Sequence, residues 1–376
     1  MIYLDYAANC PVDEKVLDKY YEVSKKYFAN PNSSHKLGLE AKRIIDESTK
    51  NIAKNLNVLP EEIIYTSGAS ESNNLVIQGV LNKYKNKGKH IIISKLEHNS
   101  IIAPLQVMQK NGFEVDMVGL TKDGLIDLDE LKSLIREDTI LVSIASVDSE
   151  LGIKQPIEEI ANIIKEYDNI IFHTDASQSV GKINIDFKDV DLITIAPHKF
   201  YGINGIGALI KKKNIDLVPI IYGGKSTTIY RSGTPALPLI VSLDTALENA
   251  ISNLEERTKF VEHLNEEVKK GLLKYNDIHI ISTENSIPYT LNFSINGIIS
   301  KDFANRLSSK EVYVSTKSAC CPDGSPSKNV LALTGNKEEA SSSIRISFSH
   351  LTKEEEIKEF LRIFDEVYME FKNGEV

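Results

Sequence analysis

Short apolar runs alternate with amphipathic stretches over the first 220 residues of the chain. The apolar runs predict strands at Glu62–Thr66, Lys89–Ser94, Phe113–Val118, Thr139–Ser146, Asn169–Thr174, Leu192–Ala196 and Gly207–Lys211. Between them, helical periodicity predicts helices at Ser70–Tyr84, Ser100–Lys110, Asp127–Arg136 and Ile157–Glu166. Several of the apolar runs lack polar alternation, which is typical of strands buried on both faces. This order predicts an α/β fold with a mostly parallel seven-stranded sheet between two layers of helices.

The pattern changes after Tyr222-Gly223-Gly224. A helical pattern runs from about Leu237 to Tyr275 and predicts one long helix that links two domains. The rest of the chain predicts antiparallel strands near Ile278–Ile281, Tyr289–Phe293, Val312–Val314 and Ser343–Ser347, with helices near Ser300–Leu307 and Lys353–Phe371. We therefore expect a large domain over residues 13–255 and a smaller α+β domain made of residues 1–12 and 256–376.

Composition removes several classes of protein. The 376 residues carry 44 basic and 53 acidic side chains, a net charge of −9, which gives no general support for binding nucleic acid or anionic membranes. Three cysteines, Cys10, Cys320 and Cys321, form no disulfide framework and favour a reducing compartment. The N-terminal residues do not resemble a signal peptide, and no apolar run has membrane-spanning length. These features predict a cytoplasmic protein.

Familiar catalytic motifs are missing or have the wrong spacing. The glycines of Gly202–Gly207 precede a strand and do not follow the dinucleotide fingerprint. Gly224-Lys225-Ser226 imitates a P-loop, but Pro219 occupies the position of its first glycine. The chain has no Cys-x-x-Cys, His-Glu-x-x-His or Gly-x-Ser-x-Gly motif, so no metal site is expected and hydrolase chemistry is disfavoured.

Three polar features instead follow the ends of predicted buried strands, where open α/β sheets bind their ligands. Asp175 follows one strand and needs a cationic partner such as a protonated pyridine nitrogen. Lys199 follows another, where burial makes an amine nucleophilic toward aldehydes. Ser67-Gly68-Ala69 joins a strand to a helix whose N-terminus suits a phosphate. Together these groups predict a pocket for pyridoxal 5′-phosphate (PLP).

Ordered motifs along the chain strengthen this prediction. They are Tyr3-Leu4-Asp5-Tyr6-Ala7-Ala8, Asn30-Pro31-Asn32-Ser33-Ser34-His35, Thr66-Ser67-Gly68-Ala69-Ser70-Glu71-Ser72-Asn73-Asn74, Glu97-His98, Asp175-Ala176-Ser177-Gln178, His198-Lys199, Arg231-Ser232-Gly233-Thr234, Ser318-Ala319-Cys320 and Ser343-Ile344-Arg345. From Tyr3 to about Leu361 the chain resembles the cysteine desulfurases, a class V group of the fold-type I PLP-dependent transferases. The resemblance implies removal of sulfur from L-cysteine, giving L-alanine and a persulfide on the enzyme.

The resemblance implies roles for residues around the cofactor ring. Lys199 binds PLP as a Schiff base and then shuttles the substrate proton. Asp175 pairs with the ring nitrogen, and Gln178 contacts the ring hydroxyl. His98 stacks on the ring and counts among the catalytic residues.

The same resemblance implies residues for the cofactor phosphate. Ala69, Ser70 and His198 bind it within one subunit. Thr234 reaches it from the partner subunit of a homodimer.

The resemblance also implies the residues that contact the substrate and its sulfur. Arg345 binds the substrate carboxylate through a bidentate pair, and Asn30 lines the entrance. Cys320 is the nucleophile that receives the sulfur, and Lys317 favours its thiolate. We hypothesise that Cys321 modulates persulfide transfer by attacking the persulfide.

Two positions depart from the usual pattern of this family. Ser149 stands where relatives have an asparagine that contacts the ring oxygen of the cofactor. Ala196 stands where relatives have a serine that binds phosphate, so one donor is absent. Both departures predict altered contacts with the cofactor.

Several functions stay open at the level of sequence. A selenocysteine lyase, or another class V PLP aminotransferase, has similar motifs, although a plain aminotransferase needs no mobile thiol. A non-catalytic dimeric partner protein with a decayed pocket is an alternative of another class. The sulfur acceptor also stays open, with an iron–sulfur scaffold and a tRNA-thiolating enzyme as the expected candidates.

Overall fold

The computed structural model describes residues 1–224, 226–317 and 325–374. Its strands are β1 (Ile2–Tyr3), β2 (Ile63–Thr66), β3 (His90–Ser94), β4 (Glu114–Val118), β5 (Thr139–Ser143), β6 (Ile171–Asp175), β7 (Leu192–Ile195), β8 (Gly207–Lys211), β9 (Ile278–Ile280), β10 (Thr290–Ile295), β11 (Val312–Tyr313) and β12 (Ser343–Ser347). Its helices are α1 (Glu14–Lys26), α2 (Lys36–Leu56), α3 (Ala69–Tyr84), α4 (Asn99–Lys110), α5 (Leu128–Leu134), α6 (Ile157–Ile164), α7 (Leu237–Ser252), α8 (Leu254–Leu272), α9 (Ser300–Ser309), α10 (Lys328–Thr334), α11 (Lys337–Ser342) and α12 (Glu354–Lys372). Short 3₁₀ turns occupy Pro60–Glu62 and Pro197–Lys199.

The larger sheet has the strand order β2-β8-β7-β6-β5-β3-β4. Strand β8 is antiparallel to both of its neighbours, and the other pairs are parallel, so the predicted mostly parallel α/β fold is confirmed. Because β8 reverses direction between β2 and β7, strand β2 again points the same way as β7. The carboxyl ends of β2, β3, β5, β6 and β7 therefore lie along one edge of the sheet.

The unbroken apolar runs are explained by helices on both faces of this sheet. In β3, Ile91 and Ile93 pack in one cluster with α3 and α4, whereas Ile92 packs in another with α2 and α7. Alternate side chains point to opposite faces of a strand, so both faces require apolar residues. Burying each such side chain contributes about 1.5–3 kcal/mol.

A smaller antiparallel sheet has the order β12-β10-β9 and packs against α8, α9 and α12. The first residues of the chain join this part: β1 pairs with β11, and the Leu4 carbonyl accepts a hydrogen bond from the Ser347 amide at 2.8 Å. We therefore keep the division into residues 13–255 and residues 1–12 with 256–376 as a proposal. This division is supported by the packing of the two helices at the boundary, because α7 packs in the core of the larger sheet and α8 packs in the core of the smaller sheet.

The predicted single helix from Leu237 to Tyr275 is wrong. The chain forms two helices, α7 and α8, which are separated at Asn253, where φ is −121° and ψ is 20°. The apolar side of α7 packs on the larger sheet, and that of α8 packs on the smaller sheet. One straight helix cannot present its apolar stripe to both cores, and asparagine is a poor residue for a helix interior.

Helices α1, α2, α10 and α11 were not predicted from the sequence. Helices α1 and α2 pack with α7 in the core on one face of the larger sheet. Many of their remaining side chains are exposed. Within the described ranges, none of the helices is both long enough and apolar enough to cross a membrane.

Candidate functional site

A cavity of about 430 Å³ opens at the edge where the parallel strands end. This volume falls in the usual range for small-molecule sites. Many of the residues that the sequence singled out line this one cavity, namely Ala69, Ser70, His98, Ser149, Asp175, Gln178, His198, Lys199 and Arg345. They arrive from five strand ends of the larger sheet and from β12 of the smaller one, so the topology brings them together.

Two predicted residues, Asn30 and Thr234, do not line this cavity, and a third, Cys320, cannot be placed relative to it. Asn30 is exposed, and its side-chain oxygen accepts a hydrogen bond from the Asn32 amide at 2.9 Å. Thr234 is also exposed on the single chain. Cys320 lies outside the described residues, as does Cys321, and the flanking residues Lys317 and Ser325 are joined by a 3.0 Å hydrogen bond from Lys317 Nζ to the Ser325 carbonyl.

The start of α3 forms one wall of the cavity. Gly68 precedes the helix with φ +154°, and no side chain caps the first amides. A Cβ atom at Gly207 of the adjacent strand β8 would lie 2.7 Å from the Gly68 Cα, so this close approach requires glycine. The first amides of an α-helix have no partner within the helix and carry the positive end of its dipole. An anion such as a phosphate can bind there.

Asp175 ends β6 and is held by two donors. Its Oδ2 accepts a hydrogen bond from Asn73 Nδ2 at 2.8 Å, and its Oδ1 accepts one from the Ser177 amide at 2.9 Å. A carboxylate has lone pairs for further donors, so these contacts fix its orientation and leave it able to accept another hydrogen bond. Asp175 can therefore pair with a cationic group in the cavity.

Lys199 projects from the 3₁₀ turn that follows β7. Its Nζ donates hydrogen bonds of 2.7 Å to the carbonyl oxygens of Ala7 and Ala8. Burial, assisted by the nearby Arg345 cation, lowers the pKa of Lys199 from 10.5 to about 8. A larger fraction of this amine is therefore neutral near pH 7 than for an ordinary lysine, and the neutral amine is the nucleophile.

This lowered pKa predicts how PLP capture depends on pH. For the apoprotein, the rate of covalent capture should rise with pH and level off above about pH 8, because Lys199 then exists as the neutral amine. For an ordinary lysine the rate would continue to rise toward pH 10.5. Stopped-flow absorbance across a pH series measures the midpoint. A midpoint above pH 10 would contradict the prediction.

Two histidines in the cavity are neutral. The Ser100 amide donates to Nδ1 of His98 at 3.1 Å, so this nitrogen is an acceptor and Nε2 carries the proton. Burial lowers the pKa of His98. Burial also lowers the pKa of His198 to about 4, with Lys199 adding to the effect. Both imidazoles can therefore donate a hydrogen bond or stack on a ring without adding positive charge.

Arg345 is buried on β12 and is fixed by two acceptors. Its Nη2 donates to Asp5 Oδ1 at 2.5 Å, and its Nη1 donates to the Ser149 carbonyl at 2.7 Å. A guanidinium has five N–H groups, so these bonds orient the side chain and leave donors for a ligand carboxylate. The pairing with Asp5 was not predicted from the sequence.

The loop that carries Ser149 is held by the preceding aspartate. The Asp148 carboxylate accepts hydrogen bonds of 2.8–2.9 Å from the amides of Glu150, Leu151 and Ile153, and Asn329 Nδ2 donates to it at 3.1 Å. Two carboxylate oxygens can accept this set, whereas an asparagine has only one acceptor oxygen. The Asp148 carboxylate therefore fixes the loop that carries Ser149.

Sequence reasoning missed a second buried lysine. Lys182 Nζ donates to Gln178 Oε1 at 2.6 Å, and Gln178 Nε2 donates to the Ala7 carbonyl at 2.9 Å. It also gave no role to Glu97, whose pKa is raised to about 8 by burial and whose Oε1 accepts a hydrogen bond from the Ala145 amide at 2.8 Å. The only signal in the sequence was that both lie in or beside the recognised motifs.

The donors and acceptors of the cavity fit PLP. Ser177 Oγ lines it, is buried, and has no hydrogen-bond partner among the described residues, as expected where a polar ligand is accommodated. The helix start at Ala69 suits a phosphate, the Asp175 carboxylate suits a protonated ring nitrogen, and the Lys199 amine suits an aldehyde. Within the described ranges, no cluster of His, Cys, Asp and Glu side chains is arranged to hold a metal ion.

Comparison with known proteins gives one family. The family model described as aminotransferase class-V matches residues 2–360. A cysteine desulfurase IscS from Dictyoglomus turgidum is 37% identical over 374 residues, which cover 97% of this chain and 94% of that protein. A cysteine desulfurase IscS from Neisseria meningitidis serogroup C is 39% identical over 364 residues, which cover 95% of this chain and 89% of that protein.

Solved structures give the same result. A NifS-like protein superposes with a TM-score of 0.93 at 33% identity, over 98% of this chain and 99% of that one. A structure described as SspA in complex with cysteine superposes with a TM-score of 0.83 at 34% identity, over 94% of this chain and all of that one.

Proposed function

The chain belongs to the aminotransferase class-V family, and we propose that it is a PLP-dependent cysteine desulfurase that transfers sulfur from L-cysteine to its own Cys320 and releases L-alanine. The observation that carries the proposal is the meeting of an amine, a carboxylate and a helix N-terminus in one cavity. These groups are Lys199, Asp175 and Ala69. A relative named for cysteine desulfuration, 37% identical along almost the whole chain, supports the choice of substrate.

Each polar end of the cavity would hold one part of PLP. The amides of Ala69 and Ser70, with the neutral His198, would bind the phosphate. Asp175 would accept the hydrogen bond of the protonated ring nitrogen, and Lys199 would bind the aldehyde carbon covalently. When bound, PLP supplies an electron sink for the charge left when the substrate loses its Cα proton.

The remaining ring contacts come from Gln178, Ser149 and His98. Gln178 would donate to the ring hydroxyl, and His98 would lie against the ring face. Ser149 would contact the ring oxygen of the cofactor. It also helps to orient Arg345, because its backbone carbonyl accepts a hydrogen bond from that side chain. We propose that the ring oxygen contact is weaker here than with an asparagine side chain, because the serine hydroxyl is shorter.

Lys199 and Arg345 would handle the substrate. The Lys199 amine would accept the Cα proton of the substrate, and its lowered pKa makes it an effective base near neutral pH. Arg345 would bind the substrate carboxylate through its remaining N–H groups, while Asp5 holds the guanidinium in orientation. Asn30, on an exposed loop, would line the route of entry.

The sulfur step requires a thiolate from the protein. Cys320 would attack the substrate sulfur, so that a new S–S bond forms while the C–S bond of cysteine breaks. The electron pair of the broken bond stays with the carbon fragment, which takes up protons and leaves as alanine. The enzyme retains the sulfur as a persulfide, and no external oxidant is needed.

One assay tests the function and the nucleophile together. Purified protein with PLP, L-cysteine and a thiol reductant should release sulfide and alanine in equal amounts. A Cys320→Ser variant should still bind PLP and form no persulfide, whereas the matched Cys321→Ser variant should form it. Alanine without sulfide, or keto-acid-dependent transamination, would contradict the proposal. L-selenocysteine as a competing substrate distinguishes a selenocysteine lyase.

Changing Arg345 to lysine should mainly affect substrate binding. A lysine cannot form a bidentate pair with a carboxylate and cannot hold Asp5 and the Ser149 carbonyl at the same time. We expect KM for L-cysteine to rise about tenfold to a hundredfold, the equivalent of one or two charge-assisted hydrogen bonds. Steady-state kinetics measure this change, and an unchanged KM would exclude Arg345 from the carboxylate site.

We further propose a cytoplasmic homodimer. An odd number of cysteines, with Cys10 a free buried thiol, favours a reducing compartment. Thr234 is exposed on the single chain and would reach the phosphate of the partner subunit, so a Thr234→Ala change should weaken PLP binding without altering the monomer fold. A protein carrier, either an iron–sulfur scaffold or a tRNA-thiolating enzyme, would then accept the sulfur.

A further inference from the structure

Behind the wall of the cavity lies Lys182, a buried lysine that takes no part in the mechanism proposed above. It is buried, and its Nζ lies 2.6 Å from Oε1 of Gln178. Removing an ammonium group from water is unfavourable unless it gains strong hydrogen bonds. A buried lysine whose partner is a neutral side-chain amide in the cavity wall therefore requires an explanation.

The hydrogen bonds fix which end of the Gln178 amide points where. An ammonium group can only donate, so the atom that meets a charged Lys182 must be the carbonyl oxygen. A backbone carbonyl can only accept, so the atom 2.9 Å from the Ala7 oxygen must be the amide nitrogen. The two partners agree, and the orientation of the amide follows from their chemistry.

This orientation turns the N–H side of Gln178 toward the cavity. Ala7 and Gln178 both line the cavity, whereas Lys182 does not. The same Ala7 carbonyl accepts the hydrogen bond from Lys199 Nζ. Lys182, Gln178, Ala7 and Lys199 therefore form one continuous chain of hydrogen bonds that ends at the reactive amine.

We propose that Lys182 is a positioning residue that holds the Gln178 amide with its N–H group, and not its carbonyl, facing the ring hydroxyl of the cofactor. The inference rests on the proposed function, because it concerns the PLP contact of Gln178. Without Lys182 only the hydrogen bond to the Ala7 carbonyl holds the amide, so its orientation is fixed less strongly and the half-turn rotamer becomes more populated. In that rotamer the carbonyl oxygen faces the ring oxygen of the cofactor, so Gln178 no longer donates a hydrogen bond to it.

The Lys182→Met variant removes the donor and keeps most of the side-chain length. We expect the dissociation constant of PLP from the apoprotein to rise about tenfold, as for loss of one hydrogen bond to a charged group. The circular dichroism of the bound cofactor should also change, because its contact at the ring hydroxyl is altered. Lys182→Arg, which can still donate to Gln178, should restore both properties to within about threefold.

Lys211 provides the matched control. It is also buried, but it donates to the Ile215 carbonyl at 2.6 Å and does not line the cavity. Lys211→Met should lower the unfolding temperature in the same way as Lys182→Met, while leaving PLP affinity and circular dichroism as in the wild type. Equal loss of PLP affinity in both variants would overturn the proposal, because it would indicate a general effect of removing a buried lysine.

A double-mutant cycle tests whether Lys182 acts through Gln178. In a Gln178→Leu background, Lys182→Met should weaken PLP binding no further, since the amide it orients is gone. Additive losses would overturn the proposal. Gln178→Glu tests the ring contact itself and leaves Lys182 intact: the carboxylate can pair with Lys182 but has no N–H group for the cofactor or for the Ala7 carbonyl, so PLP binding should weaken about tenfold.

These outcomes are independent of the test of the proposed function. If the wild-type protein does not bind PLP or release sulfide, the proposed function fails. If the wild type does both and Lys182→Met binds PLP with wild-type affinity, only the role of Lys182 is overturned.

Discussion

Replacing Lys199 by alanine is expected to lower the rate of alanine and sulfide formation by about 10³-fold, in line with the usual contribution of a general acid–base group. The variant loses both the amine that binds the cofactor covalently and the base that moves the Cα proton. The assay should use saturating PLP, so that a lower cofactor affinity is not mistaken for a slower reaction. Equal amounts of alanine and sulfide are then followed over hours.

Lys211→Ala is the control for this change. It also removes a buried lysine, but one that donates to the Ile215 carbonyl and does not line the cavity. Its rate should stay close to that of the wild type. A Lys199→Ala enzyme that retained more than a tenth of the wild-type rate would remove Lys199 from the mechanism.

Replacing Asp175 by asparagine is expected to lower kcat by about 10²- to 10³-fold, the usual effect of removing one preorganised electrostatic group. The neutral amide cannot stabilise a protonated ring nitrogen. It also provides one acceptor oxygen where the carboxylate now serves both Asn73 and the Ser177 amide. Steady-state kinetics at saturating cysteine and PLP measure the loss.

Asn73→Ala separates charge from orientation. This variant keeps the carboxylate of Asp175 and removes only one of its two fixing hydrogen bonds. Its loss in kcat should therefore be much smaller than that of Asp175→Asn. Similar losses in the two variants would mean that the position of the carboxylate, and not its charge, decides the rate.

The strand-end positions of the site could be predicted from the sequence because the apolar runs are unusually clear. Asp175 and Lys199 follow runs that have no polar alternation, and parallel strands bring their carboxyl ends to one edge of a sheet. The start of α3 was predictable from Ser67-Gly68-Ala69 for the same reason. These features depend on local pattern, which a single sequence records.

Contacts between distant segments could not be predicted in this way. The acceptors of Lys199 are carbonyl oxygens of Ala7 and Ala8, which precede it by about 190 residues, and backbone carbonyls carry no signature in the side-chain sequence. The pairing of Asp5 with Arg345 spans 340 residues. The division of the helical stretch at Asn253 was also hidden, because periodicity reports an apolar stripe without saying which core it meets.

The attachment of the first residues to β12 has a consequence for synthesis on the ribosome. The Leu4 carbonyl meets the Ser347 amide, and the Ala7 amide donates to Ser347 Oγ at 2.9 Å. During synthesis Lys199 emerges from the ribosome long before Ser347 does. The carbonyl oxygens of Ala7 and Ala8, which accept the hydrogen bonds of Lys199, can therefore reach their folded positions only after nearly all residues of the chain have been synthesised. Vitamin B6 loading should therefore be a post-translational event, and ribosome-bound chains stalled before Ser347 should remain colourless.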